Sequence, residues 1–398
     1  MAAKALIFDF DGTLCDTGEG IKKSAKYALD FFGIDSPEWE ELDYFIGPPL
    51  LVTFQERFKK SPQEADELVK KFRERYSSTG LYESKLYDGT EKVLAALKND
   101  GVRLGIASSK PQQFIETLLK HFDIIKYFDV VCGVSFQADC ESKQSIISRC
   151  AEELGCDKEN AFVVGDTRFD IDGAKENGIR SIGVSWGYGS KFELIESGAD
   201  FIIEKPSYIE AIALDLYEQT EKVNGIFSGK VLVMHHDEVT LCNKRTTMRE
   251  CVDHPGGVAV IGLTDAGEVP LVRQFRYPYK EIVFEIPAGK LEKGEDPFDA
   301  GVREFKEECG AVADNYFSLG EIYPSPGYTN EIIRLYGASG LHFEEQNLDD
   351  DEFLQIVKMP LSELTERVMS GEIKDAKTVA AVLKLNYLLQ KNGGKLPL

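Results

Sequence analysis

Over the first 220 or so positions, short apolar runs alternate with segments of helical spacing. The runs at 5–8, 102–107, 130–133, 161–164 and 181–184 are almost uninterrupted by polar residues, as strands buried on both faces must be. Between them, apolar residues recur at helical intervals over 91–98, 112–120, 143–154 and 171–177. That alternation predicts a doubly wound, mostly parallel sheet with helices on both faces. One insertion breaks it: residues 19–83 are almost wholly helical in pattern around a turn at Gly47-Pro48-Pro49. The expectation is a helical cap, spanning about 16–86, over the ligand-binding edge of the sheet, where it would set substrate choice; a purely structural helical hairpin is the alternative.

Beyond residue 220 the texture changes. β-branched and apolar runs at 231–234, 238–241, 246–252 and 257–263 follow one another with no helix between, separated by His-Asp, Asn-Lys and Pro-Gly-Gly turns. Helical spacing returns at 297–309 and 361–390. A second domain of α+β type is expected, giving a division into 1–221 and 222–398. With 398 residues, 43% of them hydrophobic, the chain has apolar material for two cores and a small accessory one.

A net charge of −22 repels a nucleic-acid backbone, so phosphorylated small molecules must be met through metal ions or local Arg and Lys. Magnesium is the natural mediator. Eight cysteines lie scattered without Cys-x-x-Cys spacing and read as reduced thiols. No apolar run approaches a membrane span, and Met1 to Phe10 is too short for a signal peptide, so a cytoplasmic protein without membrane partners is expected.

The first chemistry follows the first strand, where Asp9-Phe10-Asp11-Gly12-Thr13 puts two carboxylates beside a glycine turn at a strand's carboxyl end. Asp9 is placed to attack phosphorus. Asp11 is placed to protonate the leaving oxygen and then deprotonate water, and both need a cation to bring the phosphate close. Ser108 and Ser109 after the next strand, with Thr13, would hold phosphate oxygens. Lys143, opening a helix, would neutralise charge, and Asp166 with Asp170 would complete the magnesium shell begun by Asp9 and Asp11. Through Phe8-Asp9-Phe10-Asp11-Gly12-Thr13-Leu14, Ser108-Ser109-Lys110-Pro111 and Gly165-Asp166 with Asp170-Ile171-Asp172-Gly173-Ala174, residues 4–215 resemble a haloacid dehalogenase-superfamily phosphatase with a helical cap. The phosphoglycolate-phosphatase and 5′-nucleotidase branches are the nearest; another small phosphate ester, or a sugar-phosphate mutase, stays open.

The second chemistry is more local. Gly289, Glu295 and the run Arg303-Glu304-Phe305-Lys306-Glu307-Glu308-Cys309-Gly310 bracket a helix opened by Pro297. Glu304, Glu307 and Glu308 fall at i, i+3 and i+4 and share a face, where they repel one another unless divalent cations bind. Arg303 reaches Glu307, and Glu295 is placed to brace the helix start. This block resembles a Nudix box, with Ala311 in place of a larger apolar residue. The resemblance implies magnesium (or manganese) held by Glu304 and Glu308 with help from Glu307 and the Ala288 carbonyl, and water attacking a diphosphate.

The flanks Arg273-Gln274-Phe275-Arg276-Tyr277-Pro278, Phe284-Glu285-Ile286-Pro287-Ala288-Gly289 and Ser325-Pro326-Gly327 resemble the ADP-ribose pyrophosphatase branch, with Pro326 sixteen positions after Gly310 (326 minus 310). By that resemblance Arg276 contacts the diphosphate, Glu285 a ribose or adenine group, and Glu352, in the acidic run Asp349-Asp350-Asp351-Glu352, activates water; a solvated acidic surface is the other reading of that run. His235 and His236 read as strand residues. The resemblance also implies pairing of two copies through the strands at 231–252, hence a homodimer through the second domain. Together the two halves imply an enzyme of two hydrolytic activities: a phosphomonoesterase acting through an aspartyl-phosphate, and a hydrolase of nucleoside diphosphate sugars, ADP-ribose first among them. In another class, one half serves as a non-catalytic ligand sensor.

Overall fold

The computed structural model describes residues 4–47, 50–135, 141–348 and 352–396. The chain divides into two compact units, Met1–Tyr217 and Glu218–Leu398. Among the described residues no helix is long and apolar enough to cross a membrane.

In the first unit, β1 (Ala5–Phe8) leads through the short β2 (Cys15–Asp16) into helices α1 (Gly18–Phe31), α2 (Leu50–Phe58) and α3 (Pro62–Ser78) and back through β3 (Lys85–Leu86). β2 and β3 pair antiparallel, Cys15 with Leu86 and Asp16 with Lys85, so a two-residue ribbon carries the whole helical insertion. α3 begins with a capping box between Ser61 and Glu64 and a proline in its first turn, which satisfies donors that a helix start leaves open. Leu42, Phe45, Phe54, Leu68 and Phe72 of the insertion belong to one apolar cluster that continues to Leu6 and Phe8 of the sheet. The predicted Pro48-Pro49 turn lies outside the described residues.

After β3 the helix–strand alternation runs α4 (Thr90–Asn99), β4 (Arg103–Pro111), α5 (Gln112–His121), β5 (Val130–Val134), α6 (Lys143–Leu154), β6 (Ala161–Gly165), α7 (Arg168–Glu176), β7 (Arg180–Val184), α8 (Lys191–Glu196), β8 (Phe201–Ile203) and α9 (Ser207–Ala213). The sheet order is β5-β4-β1-β6-β7-β8, every pair parallel. Alternate residues of β1 serve two cores: Leu6 and Phe8 join one, Ala5 and Ile7 the other. Both faces are therefore covered. Chain direction across the sheet reverses at β1, and the crevice between β1 and β6 is where such folds take ligands.

The second unit opens with β9 (Glu218–Ser228), β10 (Val233–Leu241) and β11 (Thr246–Asp253), a separate three-stranded sheet of order β11-β10-β9. Two expectations change here. The runs at 231–234 and 238–241 are one strand rather than two, because His235-His236-Asp237 continues the ladder to β11 and the irregularity is absorbed as register shifts against β9. β9 itself was not foreseen. Its residues Glu218–Ser228 are mostly exposed and carry no alternation to read, and they draw residues 218–221 into this unit.

Next come β12 (Gly257–Leu263), β13 (Glu268–Arg276), β14 (Glu281–Glu285), β15 (Ala288–Lys290), α10 (Pro297–Cys309), β16 (Ala311–Ile322), β17 (Ile333–Phe343), β18 (Leu354–Pro360), α11 (Leu361–Met369) and α12 (Ala376–Lys391). The run at 361–390 is thus two helices, broken around Gly371. The strands form sheets of order β15-β12-β17-β16 and β14-β13-β18. Val260 of β12 packs with Phe305 and Cys309 of α10, while Ala259 and Ile261 pack with Leu364, Ala381 and Val382 of α11 and α12. Helices on both faces make an α/β/α sandwich.

Candidate functional site

In the first unit the loop after β1, the end of β4, the start of α6 and the loop after β6 converge on a cavity of about 620 Å³. Asp9, Asp166 and Asp170 bring carboxylate oxygens to within 4.8 Å of one another. Each is held by a partner from another element. Lys143 Nζ lies 2.6 Å from Asp9 and 2.8 Å from Asp170. Asp166 accepts from the Thr13 hydroxyl at 3.0 Å and the Tyr188 amide at 2.8 Å. Asp170 uses Oδ2 to cap α7, accepting from the Thr167 hydroxyl at 2.8 Å, and its buried Oδ1 is the oxygen that faces Lys143.

Gly12, at φ +85°, makes the turn possible, because a side chain there would stand 2.1 Å from an Asp166 oxygen. Burial pushes the Asp9 carboxyl up to about 6 despite the attraction of Lys143, and burial with the neighbouring Asp170 and Asp9 raises Asp166 well above the usual range. Three buried carboxylates converging on one point, with a single lysine to balance them, fit a divalent cation.

Two expected roles change. Asp11 does not join the three carboxylates: Lys110 holds it at 2.8 Å and the Thr17 hydroxyl at 2.7 Å, so its oxygens face a lysine rather than the cluster. Thr13 gives its hydroxyl to Asp166 and so positions a carboxylate instead of facing a phosphate. Ser108 is buried and Ser109 half-buried, and both line the cavity beside Asp9. The sequence reading missed Lys110 and Tyr76. Lys110, only 7% exposed, also donates to the Tyr76 hydroxyl of α3 at 2.6 Å, which ties α3 to Asp11. A lysine just past an apolar strand, in the Ser108-Ser109-Lys110-Pro111 motif, was the signal available; the tyrosine, thirty-four positions away, left none.

In the second unit α10 delivers its carboxylates as its spacing requires. Arg303 bridges Glu295, Glu304 and Glu307, each at 2.9 Å. Glu308 is buried and accepts from the Ala288 amide at 2.8 Å, which sets β15 against the helix. A side chain at Gly289 would stand 1.8 Å from the Glu304 carboxyl carbon, so only glycine lets the strand approach this closely. Burial pushes Glu308 up to about 8, with Glu304 and Glu352 adding repulsion that the Ala288 amide only partly offsets. Glu304 is raised too, by burial before any charge, and Glu352 is among the charges that raise it. Glu352 therefore stands near the carboxylate face; Asp349, Asp350 and Asp351 lie outside the described residues. Unlike Asp9 and Asp170 with Lys143, Glu308 has no cation in ion-pair contact among the described residues, and its chemistry fits a divalent ion.

Arg276 and Glu285 were expected to contact different parts of a ligand, yet they contact each other. The guanidinium reaches both Glu285 oxygens, at 2.5 and 2.6 Å, and Lys377 of α12 completes the knot. Burial alone would raise the Glu285 carboxyl, but Arg276 and Lys377 outweigh it and hold it below the usual range. Glu285, 2% exposed, thus orients Arg276 and offers no free oxygen to a sugar or base. Lys377 gave no sign in the sequence, being far along the chain. Pro326 lies on an exposed turn whose backbone is tied to Val252 of β11, outside the described hydrogen bonds and ion pairs of Glu304, Glu307 and Glu308.

Residues 6–184 match the family model described as haloacid dehalogenase-like hydrolase, and residues 253–382 that of the NUDIX domain. The chain is 38% identical over 189 residues to a 5′-nucleotidase of Pseudomonas aeruginosa, covering 48% of this chain and 86% of that protein. It is 41% identical over 179 residues to an ADP-ribose pyrophosphatase of Bacillus subtilis, covering 44% of this chain and 97% of that one. Among solved structures, a predicted phosphatase from Clostridium acetobutylicum aligns with a TM-score of 0.52 at 36% identity, over 54% of this chain and all of its own. The chain therefore belongs to both families, a haloacid dehalogenase-like hydrolase domain being followed by a NUDIX domain.

Proposed function

We propose that the first domain hydrolyses nucleoside 5′-monophosphates and the second hydrolyses ADP-ribose to AMP and ribose 5-phosphate, both with magnesium. The observation that carries the first half is the cavity. Its volume of about 620 Å³ exceeds what a two-carbon phosphate ester fills, and Phe45, Phe72, Tyr76 and Phe114 supply aromatic walls suited to a base. Magnesium, when bound among Asp9, Asp166 and Asp170 and on the Glu304, Glu307 and Glu308 face, neutralises phosphate charge.

The Asp9 carboxylate attacks phosphorus and Asp11 protonates the departing 5′-oxygen; Asp11 then takes a proton from the water that hydrolyses the aspartyl-phosphate. Each aspartate is held by its own lysine, Asp9 by Lys143 and Asp11 by Lys110, which supports separate roles for the two. In the second domain Glu352 takes the proton from the attacking water, and Arg276, fixed by Glu285, meets the diphosphate. The ADP-ribose reading is supported by the likeness to the Bacillus subtilis pyrophosphatase. Exposed Val223, Ile226, Phe227, Val233 and Met234 on β9 and around β10 favour a homodimer through this domain.

Incubating the full chain with ADP-ribose and magnesium, and following AMP, ribose 5-phosphate, adenosine and phosphate, tests the whole reading. Adenosine and phosphate should appear after AMP. Accumulation of both monophosphates without free phosphate would separate the two activities, and no cleavage at all would remove the second assignment.

A further inference from the structure

The separate sheet of the second unit carries a cluster that neither hydrolytic site uses. His235 on β10 faces Cys251 on β11 across the ladder, and Asp237 lies two residues further along β10 on the same face. One ligand atom from each lies within 4.8 Å of the others. His235 Nδ1 is 2.7 Å from an Asp237 oxygen, while Nε2 is 3.5 Å from Asp253, the next residue on that face of β11. Gly225 stands opposite His235 on β9, so the third strand puts no side chain over the imidazole.

We propose that His235, Asp237 and Cys251 bind one divalent cation of the zinc class, clipping β10 to β11, with Asp253 holding the imidazole by its other nitrogen. The donor set is one nitrogen, one oxygen and one sulfur, which suits a borderline-soft ion; magnesium does not take thiolate ligands. Tetrahedral coordination needs ligand atoms about 3.3 to 3.8 Å apart, so the 2.7 Å His235–Asp237 contact spreads by roughly 0.6 Å and the Cys251 sulfur, within 4.8 Å of both, closes by no more than about 1 Å. A carboxylate on the far imidazole nitrogen is the usual means of fixing the tautomer that presents Nδ1. Three protein ligands leave a fourth position for water.

On binding, Cys251 loses its thiol proton and His235 its Nδ1 proton, both to solvent, and Nε2–H stays on Asp253. Asp237 first, and Asp253 after it, hold the imidazole proton more firmly than usual, while burial and the two aspartates raise the Cys251 thiol. Affinity should therefore rise with pH. Without a cation the same groups form an imidazole bridged by two carboxylates, and the thiol has no task.

The test is a Co2+ titration of the full-length protein in excess magnesium, which occupies the carboxylate sites, read by thiolate-to-cobalt charge-transfer absorption. One equivalent should saturate the band. It should vanish in Cys251→Ser and His235→Gln and persist in Cys242→Ser, whose thiol is exposed in the turn between β10 and β11. Absence of the band in the wild type, or its survival in Cys251→Ser, overturns the proposal. Should those variants fail to fold, the wild-type protein still decides: Zn2+ should slow alkylation of Cys251 by roughly tenfold or more and leave Cys242 unchanged. Equal rates with and without Zn2+ overturn it as well.

Discussion

The two carboxylate clusters solve one electrostatic problem in different ways. In the first unit Asp9, Asp166 and Asp170 come from two loops and a helix start, over a hundred and fifty positions apart, and a buried lysine touches two of them. In the second unit Glu304, Glu307 and Glu308 come from one helix, and their cation, Arg303, sits on the outer pair while Glu308 is left with a backbone amide. The consequence shows in the acidities: Asp9, in contact with Lys143, is pushed to about 6, while Asp166, held by a hydroxyl and an amide, is raised well above the usual range and Glu308, held by an amide, is pushed to about 8. A cluster assembled by tertiary structure can recruit its counter-charge from any element. In both clusters a carboxylate held only by neutral donors depends more on the metal than one in contact with a lysine or arginine.

The sharpest way to break this comparison is to separate the sites chemically. Asp9→Asn should lower phosphomonoesterase activity on the order of a thousandfold or more, with diphosphate cleavage unchanged within a few-fold, since the nucleophile belongs to one site. Equal loss of both activities in a folded variant would collapse two sites into one. Next in size, Glu304→Gln and Glu308→Gln should each reduce diphosphate hydrolysis by a factor on the order of hundreds at limiting magnesium and spare the phosphomonoesterase; near-wild-type rates would show that the helix face holds no metal.

The acidities give a third test. A carboxyl whose folded pKa lies above its unfolded one binds more protons when folded, so it costs stability as pH rises through that window. In metal-free protein, unfolding free energy should fall between about pH 4.5 and 8 on account of Glu308, and between about 3.8 and 6 on account of Asp9. Glu308→Gln should flatten the decline more than Asp9→Asn does, by a difference on the order of a few kcal/mol. Chemical denaturation in a chelator, repeated across that range, measures it, and a steeper contribution from Asp9 would reverse the ranking of the clusters.

The smallest effect concerns the cap. Tyr76→Phe keeps the ring and removes one hydrogen bond to Lys110, so phosphomonoesterase kcat should fall only about two- to tenfold, with diphosphate hydrolysis unchanged. Steady-state kinetics on both substrates checks it; an unchanged phosphomonoesterase would mean that Lys110 holds Asp11 without help from the cap.

The chain itself determined whatever depends on local spacing. Apolar runs alternating with helical periods marked the parallel sheet, and the 16–86 insertion is the segment that the β2–β3 ribbon closes. The acidic face of α10 and its Arg303 pairs follow from helix geometry, where i, i+3 and i+4 meet whatever the rest of the molecule does. Tertiary structure alone decided the partners: Lys110 and Tyr76 on Asp11, Thr13 on Asp166, Lys377 locking Glu285 to Arg276, and the union of two β runs into β10. A buried charge must find a counter-charge, but any element that folds against it can supply one, so sequence shows the need and only packing names the residue.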